Sequence, residues 1–229
     1  MAELVVALDL ASGRDALALV ARLPGLRWAK LGPALFVREG PALVRELTAR
    51  GVRVFLDLKW HDIPTSVAAA VSAARDQGIA MATVHTLGGP AMLAAAAAAA
   101  GAVAANGLAL VGVTVLTSHT AGDFERVVGR GVPDLGFEAE RLARLALAAG
   151  LTGVVASGHE VGLLRAALGP EPWIVVPGIR APGEAASDQS RVVTAATAVE
   201  RGATHLVVGR PIIGAPDPVA VYQRLMASL

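Results

Sequence analysis

The run Phe55-Leu56-Asp57-Leu58-Lys59-Trp60-His61-Asp62-Ile63-Pro64 sets a minus, a plus and a minus charge at the end of an apolar strand. Side chains alternate along a strand, so Asp57 and Lys59 share one face while Leu56 and Leu58 share the other. Burying charge is costly unless the charges compensate one another or perform work. The plain reading is a salt-bridged strand end that caps a sheet; the sharper one is a reaction centre. Nearby carboxylates favour the charged form of a lysine, and a protonated, positioned lysine is a general acid. Without Schiff-base context it is a poorer nucleophile, since that role needs the neutral amine.

Strand-like and helix-like segments alternate around this run from end to end. Leu4 to Leu8, Leu26 to Leu31, Val52 to Leu58, Ile79 to Val84, Leu108 to Leu116, Gly153 to Ala156, Trp173 to Val176 and His205 to Val208 read as strands. Between them lie helical patterns, among them Asp15 to Leu23 behind a Ser12 cap, Pro64 to Gln77, the alanine-rich Ala94 to Ala100, Glu138 to Ala149 and Glu160 to Leu168. The chain closes on a helix from Pro218 to Ala227. Eight such repeats imply an α/β chain folded as a single (β/α)8 TIM barrel over residues 1–229, with no internal linker. A doubly wound open sheet is the runner-up, but no Gly-x-Gly-x-x-Gly follows the first strand. The longest irregular stretches, 118–135 and 181–190, both follow strand ends and read as candidate lids on the catalytic face.

In a barrel, the polar residues that close successive strands converge on one mouth: Asp9, Lys30, Asp57 with Lys59, His85, Thr117, Ser157, Arg180 and Gly209-Arg210. The alternating signs of Lys30, Asp57, Lys59 and Asp62 permit a hydrogen-bonded chain in which each charge is compensated. A second group suits an anion. Barrels commonly bind phosphate between strands seven and eight, where Arg180 and Arg210 offer guanidinium forks. Pro211 can open a short helix there, and Gln189 can fold over the ligand from the polar loop. His61, His119, His159 and His205 are weaker candidates. His85, at the mouth, is as well explained by packing as by function.

Composition bounds the rest. At 229 residues, 54% hydrophobic and 17% charged, the chain has the make-up of a compact soluble domain. A net charge of +1 gives no basic field for nucleic acid. The absence of cysteine excludes disulfides, thiolate nucleophiles and Cys-ligated metals. No His-Glu-x-x-His spacing occurs, so no metal site is expected. Arg14 and Arg22 interrupt the N-terminal apolar region, and Met1-Ala2-Glu3 has no basic n-region; neither a membrane span nor a signal peptide is expected, and the expected location is cytoplasmic.

Taken together, Val6-Ala7-Leu8-Asp9, Lys30-Leu31-Gly32, Phe55-Leu56-Asp57-Leu58-Lys59 with His61-Asp62-Ile63-Pro64, Val84-His85, Leu116-Thr117-Ser118, Pro177-Gly178-Ile179-Arg180, Asp188-Gln189 and Val208-Gly209-Arg210 resemble the orotidine 5′-phosphate decarboxylase family in its bacterial form, in order and spacing and over nearly the whole chain. The Asp-x-Lys-x-x-Asp core alone is shared with other phosphosugar-handling barrels; His-Asp-Ile-Pro and the Pro-Gly-Ile-Arg to Asp-Gln lid make the match specific. The resemblance implies cofactor-free decarboxylation of orotidine 5′-monophosphate to UMP, the last step of de novo UMP synthesis. It assigns Lys59 to protonation of C6, Asp57 to the departing carboxylate, and Lys30 and Asp62 to the rest of the network. Asp62 is expected to enter the partner's site in a homodimer. Asp9 and Lys30 would hold the ribose, Thr117 would lie near the pyrimidine, and Arg180, Gln189, Gly209 and Arg210 would hold the phosphate. The run Leu58, Trp60, His61, Ile63, Pro64, Thr65 and Ser66 is expected to complete the substrate contacts. Thr65-Ser66 replaces the commoner Asn-Thr, and Trp60 stands where Leu or Phe is usual.

Two other readings share parts of this pattern. A Mg2+-dependent phosphosugar lyase would use the same core but needs further carboxylates, for which Glu160 is the nearest candidate. A non-catalytic phosphometabolite sensor would not need the charged network.

Overall fold

The computed structural model describes residues 2–103, 107–179 and 193–229. Eight strands, β1 Glu3–Ala7, β2 Trp28–Leu31, β3 Arg53–Trp60, β4 Met81–His85, β5 Ala109–Val113, β6 Gly153–Val155, β7 Trp173–Pro177 and β8 His205–Val208, pair in parallel and in order. β8 returns to β1 through Glu3↔His205 to Val6↔Val208, which closes the barrel. The expected (β/α)8 architecture is the one observed.

Helices α1 Gly13–Arg22, α2 Pro33–Ala49, α3 Pro64–Asp76, α4 Gly89–Ala100, α5 Ala121–Val128, α6 Leu135–Ala148, α7 Val161–Leu168, α8 Ala195–Glu200, α9 Arg210–Ile213 and α10 Pro218–Ala227 connect and follow the strands. Ser12 caps α1 by accepting from the Asp15 N–H. Within α2, Gly40 at φ 59° followed by Pro41 kinks the helix, a break its apolar spacing conceals.

Alternation along the strands divides the apolar side chains between two cores. Val5, Trp28, Phe55, Met81, Val111, Val175 and Val207 fill the barrel interior. Leu4, Val6, Ala29, Leu31, Leu56, Ala82, Val84 and Val208 pack outward under the helices. Extending the inward set by two residues at the C-terminal ends carries Val5 through Ala7 to Asp9, Trp28 to Lys30, Phe55 to Asp57, Met81 to Thr83, and Val207 to Gly209. The same periodicity that packs the core therefore delivers the polar residues to one mouth.

The stretch 118–135, expected to be irregular, contains α5. Its first turn is closed by a capping box, in which Thr120 Oγ1 accepts from the Asp123 N–H and Asp123 accepts from the Thr120 N–H. Phe124, Val115, Val132, Ala139 and Leu142 form a small core of their own beneath it. Glu138, nearly inaccessible, accepts from Arg130 and Arg141 and ties this excursion to α6. A short amphipathic helix between glycines and a proline is too brief for its period to stand out. The second candidate lid, 181–190, lies outside the described residues.

Candidate active site

β3 departs from a regular ladder where its charges begin. Leu56 pairs with Ala82 and Trp60 with Val84, so β3 advances four residues while β4 advances two. The excess is a bulge, and within it Lys59 has φ +51°. A left-handed conformation costs a non-glycine residue about 1–2 kcal/mol, and such strain gathers at functional sites. Asp57 and Lys59 do face the same way, as expected, but through this irregular backbone and not by plain alternation.

Three charged side chains meet above Phe55. Asp57 Oδ1 accepts from Lys59 Nζ at 2.9 Å, and Asp57 Oδ2 lies 3.5 Å from Lys30 Nζ. Lys30 in turn donates to Asp9 Oδ1 at 3.3 Å. Lys30 and Asp57 are largely covered, at 11% and 14% side-chain exposure, whereas Lys59 is 38% exposed and reaches the open space. Burial alone would raise the Asp57 carboxyl; Lys30 and Lys59, with hydrogen bonds from Lys59 and Thr83, outweigh it and hold the group below its ordinary range. Gly32 makes room for this cluster, since a Cβ there would lie 3.1 Å from Asp9 Oδ1.

A cavity of about 250 Å3 opens over the cluster. Asp9, Lys30, Asp57, Lys59, Thr117 and Arg210 supply its polar wall, with Gly209 and Gly178 at the ends of β8 and β7. Val155, Val175 and Val207 form apolar wall, suited to a flat ring. The structure thus gathers Asp9, Lys30, Asp57, Lys59, Thr117, Gly209 and Arg210 as expected. Arg180 and Gln189 lie outside the described residues.

The rest of the β3–α3 run lies elsewhere in its own chain. Leu58, Trp60, His61, Asp62 and Ser66 line an adjacent open depression against α3. Ile63 is 63% exposed, Pro64 begins α3, and Thr65 is exposed. Asp62 is not joined to the Lys30–Asp57–Lys59 chain; its Oδ1 accepts from the Ile63 N–H at 2.6 Å.

His85 caps the turn Thr86–Gly88 by accepting from the Leu87 N–H at Nδ1, and it stacks on His61 at 5.7 Å. Burial, then His61, Lys59 and His119, push it down to about 4, so at neutral pH it is an uncharged imidazole with its proton on Nε2. Its contacts are those of a packed histidine. Glu160, the candidate metal carboxylate, is buried and accepts from the Ser157 N–H at 3.0 Å. Among the described residues no cluster of three or more potential metal ligands forms.

One member of the site escaped the sequence reading. Thr83, wholly buried on β4, accepts from the Lys59 N–H at 2.8 Å and donates to Asp57 Oδ1 at 3.1 Å. Its signal was available: Thr83 has the inward parity of Met81 and is the one polar residue before His85 in the strand.

A family model described as orotidine 5′-phosphate decarboxylase / HUMPS family matches residues 2–225. The chain is 48% identical over 230 residues to an orotidine 5′-phosphate decarboxylase of Opitutus terrae, spanning 99% of this chain and 98% of the relative. It is 49% identical over 230 residues to that of Halorhodospira halophila, spanning 99% and 95%. Among solved structures it is similar to the orotidine 5′-phosphate decarboxylase of Lactobacillus acidophilus, with a TM-score of 0.86 and 32% identity over 100% of this chain and 99% of the other.

Proposed function

The chain belongs to the orotidine 5′-phosphate decarboxylase / HUMPS family, and on that premise we propose that it converts orotidine 5′-monophosphate to UMP and CO2 with Lys59 as the proton donor. The observation that carries this reading is the Lys30–Asp57–Lys59 array at the mouth of the cavity, in which the Lys59 ammonium is the more exposed of the two.

The chemistry asks for little else. The C6–carboxylate bond breaks, CO2 leaves, and the electron pair stays on C6 in an sp2 orbital with little delocalisation. Fixed positive charge beside that carbon stabilises the developing anion because it needs no reorganisation as the bond breaks. Lys59 supplies that charge and then its proton, giving UMP; the neutral amine recovers a proton from solvent. Asp57 is assigned to lie against the departing carboxylate. Lys30, bridging Asp57 and Asp9, keeps the buried carboxylate compensated and reaches the ribose side. Thr117 is assigned to the pyrimidine, and Arg210 with Gly209 to the phosphate at the far end of the cavity. Arg180 and Gln189 are assigned to that phosphate as well.

Asp62 and the exposed run from Ile63 to Ser66 fit this scheme as a contribution to a second subunit's site. The reading is therefore of a homodimer in the cytoplasm, working without metal or cofactor at the last step of UMP synthesis. No helix among the described residues is long and apolar enough to cross a membrane. Purified protein mixed with orotidine 5′-monophosphate should bleach the orotate absorbance and release UMP and CO2 in equal amounts. Stable absorbance, with the protein folded, would overturn the assignment.

A further inference from the structure

We propose that Thr83 is a positioning residue for this decarboxylation, one hydroxyl tying the left-handed backbone of Lys59 to the carboxylate of Asp57. The inference rests on the reading of Lys59 as proton donor.

The direction of the hydrogen bonds follows from the partners. A backbone N–H only donates, so Thr83 Oγ1 must accept from Lys59. An ionised carboxylate only accepts, so the single hydroxyl proton of Thr83 goes to Asp57 Oδ1. At 2.8 and 3.1 Å both contacts have ordinary hydrogen-bond lengths, and Thr83 has no exposure to solvent.

The bulge makes the first contact necessary. Where β3 advances four residues against two on β4, a regular strand pairing cannot serve the Lys59 N–H. The Thr83 side chain takes its place, from a strand whose backbone is in register with β5 through Thr83↔Val111. A regular element thus anchors an irregular one. In a buried setting an unserved N–H would favour another backbone conformation at Lys59.

The second contact addresses a problem the ion pair creates. Lys59 Nζ and Thr83 Oγ1 share the same oxygen of Asp57. When the ammonium turns to C6, it leaves that oxygen. Thr83 stays behind and holds the carboxylate plane, so Asp57 neither follows the lysine nor swings toward the cavity. Thr83 is absent from the cavity wall, so it acts through its two partners and not on substrate.

Thr83→Val keeps the shape of the side chain and removes the hydroxyl; Thr83→Ser keeps the hydroxyl and removes a methyl. Losing a hydrogen bond to a charged group should lower kcat about 10- to 100-fold in Thr83→Val, with KM within about threefold and Thr83→Ser within about threefold of wild type in both. Loss of a donor to the carboxylate should also move the acid limb of kcat/KM to higher pH in Thr83→Val alone. A crystal structure of Thr83→Val should show Lys59 out of the positive-φ region. Wild-type kcat and an unmoved acid limb in Thr83→Val would overturn the proposal, as would equal loss in Thr83→Ser. If Thr83→Val folds poorly, Thr83→Ala, which introduces no bulk, is read in the same way. Should the wild-type protein itself leave orotidine 5′-monophosphate unchanged, the assignment of function fails, and the Lys59 backbone in the variant decides the positioning role by itself.

Discussion

Asp57 Oδ1 and Lys59 Nζ are 2.9 Å apart, although the residue bearing the ammonium turns through φ +51° between them. A straight strand end would give both side chains the same heading but no reason to stay together. The bulge shortens their approach, and Lys30 on the other carboxylate oxygen prevents the pair from collapsing into a simple neutral couple. The result is a chain of alternating charges, Asp9, Lys30, Asp57 and Lys59, that ends in an ammonium at a concave, partly apolar site, where charge is felt more strongly than in water.

Removal of the exposed ammonium should therefore be the most damaging single change. Lys59→Ala is expected to lower kcat/KM by far more than ~10²-fold, because transition-state charge stabilisation is lost along with the proton. The check is steady-state kinetics on variant protein with wild-type circular dichroism. A folded variant with a tenth of wild-type activity would remove Lys59 from its role.

Asp9, Lys30 and Gly209 were legible because they continue the inward parity of Val5–Ala7, Trp28 and Val207, and a period of two survives to the strand end. The bulge at Lys59 was not, since a left-handed lysine has no marker comparable to glycine. Thr83 was poorly legible because it lies two positions inside β4, before the strand end that His85 marks, and a lone threonine is a common strand residue. α5 was hidden by its brevity. The kink in α2 did have a marker, Gly40-Pro41, outweighed in reading by the apolar spacing on both sides. Asp62 shows a different limit: the sign pattern suggests one chain of four charges, whereas the observed chain ends at Lys59.

Acid should weaken the fold through two histidines, buried His205 at the base of the barrel and half-buried His85 at the mouth, both pushed down to about 4. His205 is buried between Trp28 and Trp173, and burial, partly opposed by Glu3 and reinforced by Arg53, pushes it down to about 4. The unfolded chain takes up this proton near 6.5, so it binds more protons than the native state between about pH 6.5 and 4, and stability falls as pH falls through that window. The loss from this residue is on the order of 3 kcal/mol. Asp57 and Glu138 are both held below their ordinary range, so the stability they contribute is lost only as pH falls through the unfolded carboxylate range and below it. Urea midpoints between pH 7.5 and 4.5 should drop in wild type and less in His205→Phe; identical slopes would exclude His205 as the source.

Activity should persist after exhaustive EDTA treatment and show no stimulation by Mg2+. The expectation rests on Glu160, whose carboxylate is engaged by the Ser157 N–H, and on the compensation of Asp57 by two lysines in place of a cation. Activity lost on chelation and recovered with Mg2+ would favour a metal-dependent lyase reaction on the same barrel.

Subunit mixing tests the role of Asp62. Lys59→Ala and Asp62→Ala chains, each nearly inactive alone, should regain activity when exchanged, because one of the two sites in a mixed dimer then has both Lys59 and the partner's carboxylate intact. No recovery after demonstrated exchange would mean that Asp62 acts within its own subunit, or not at all.

The phosphate end of the cavity should contribute to the chemical step as well as to binding. Arg210 lies on the wall at the end of β8, away from the Asp57–Lys59 pair at the end of β3, with Lys30 and Asp9 on the strands between. If gripping the phosphate organises those strand ends, binding energy from a remote group is spent on the reacting carbon. Orotidine without its phosphate should then react far more slowly even at saturation, and added phosphite dianion should restore part of the loss. Arg210→Ala should cost ~2–5 kcal/mol of transition-state stabilisation, the range for removing one partner of a desolvated charge pair. Comparison of kcat and KM for the two substrates separates the cases. Full kcat with only a raised KM would make the phosphate a passive handle, and the coupling across the barrel mouth would not exist.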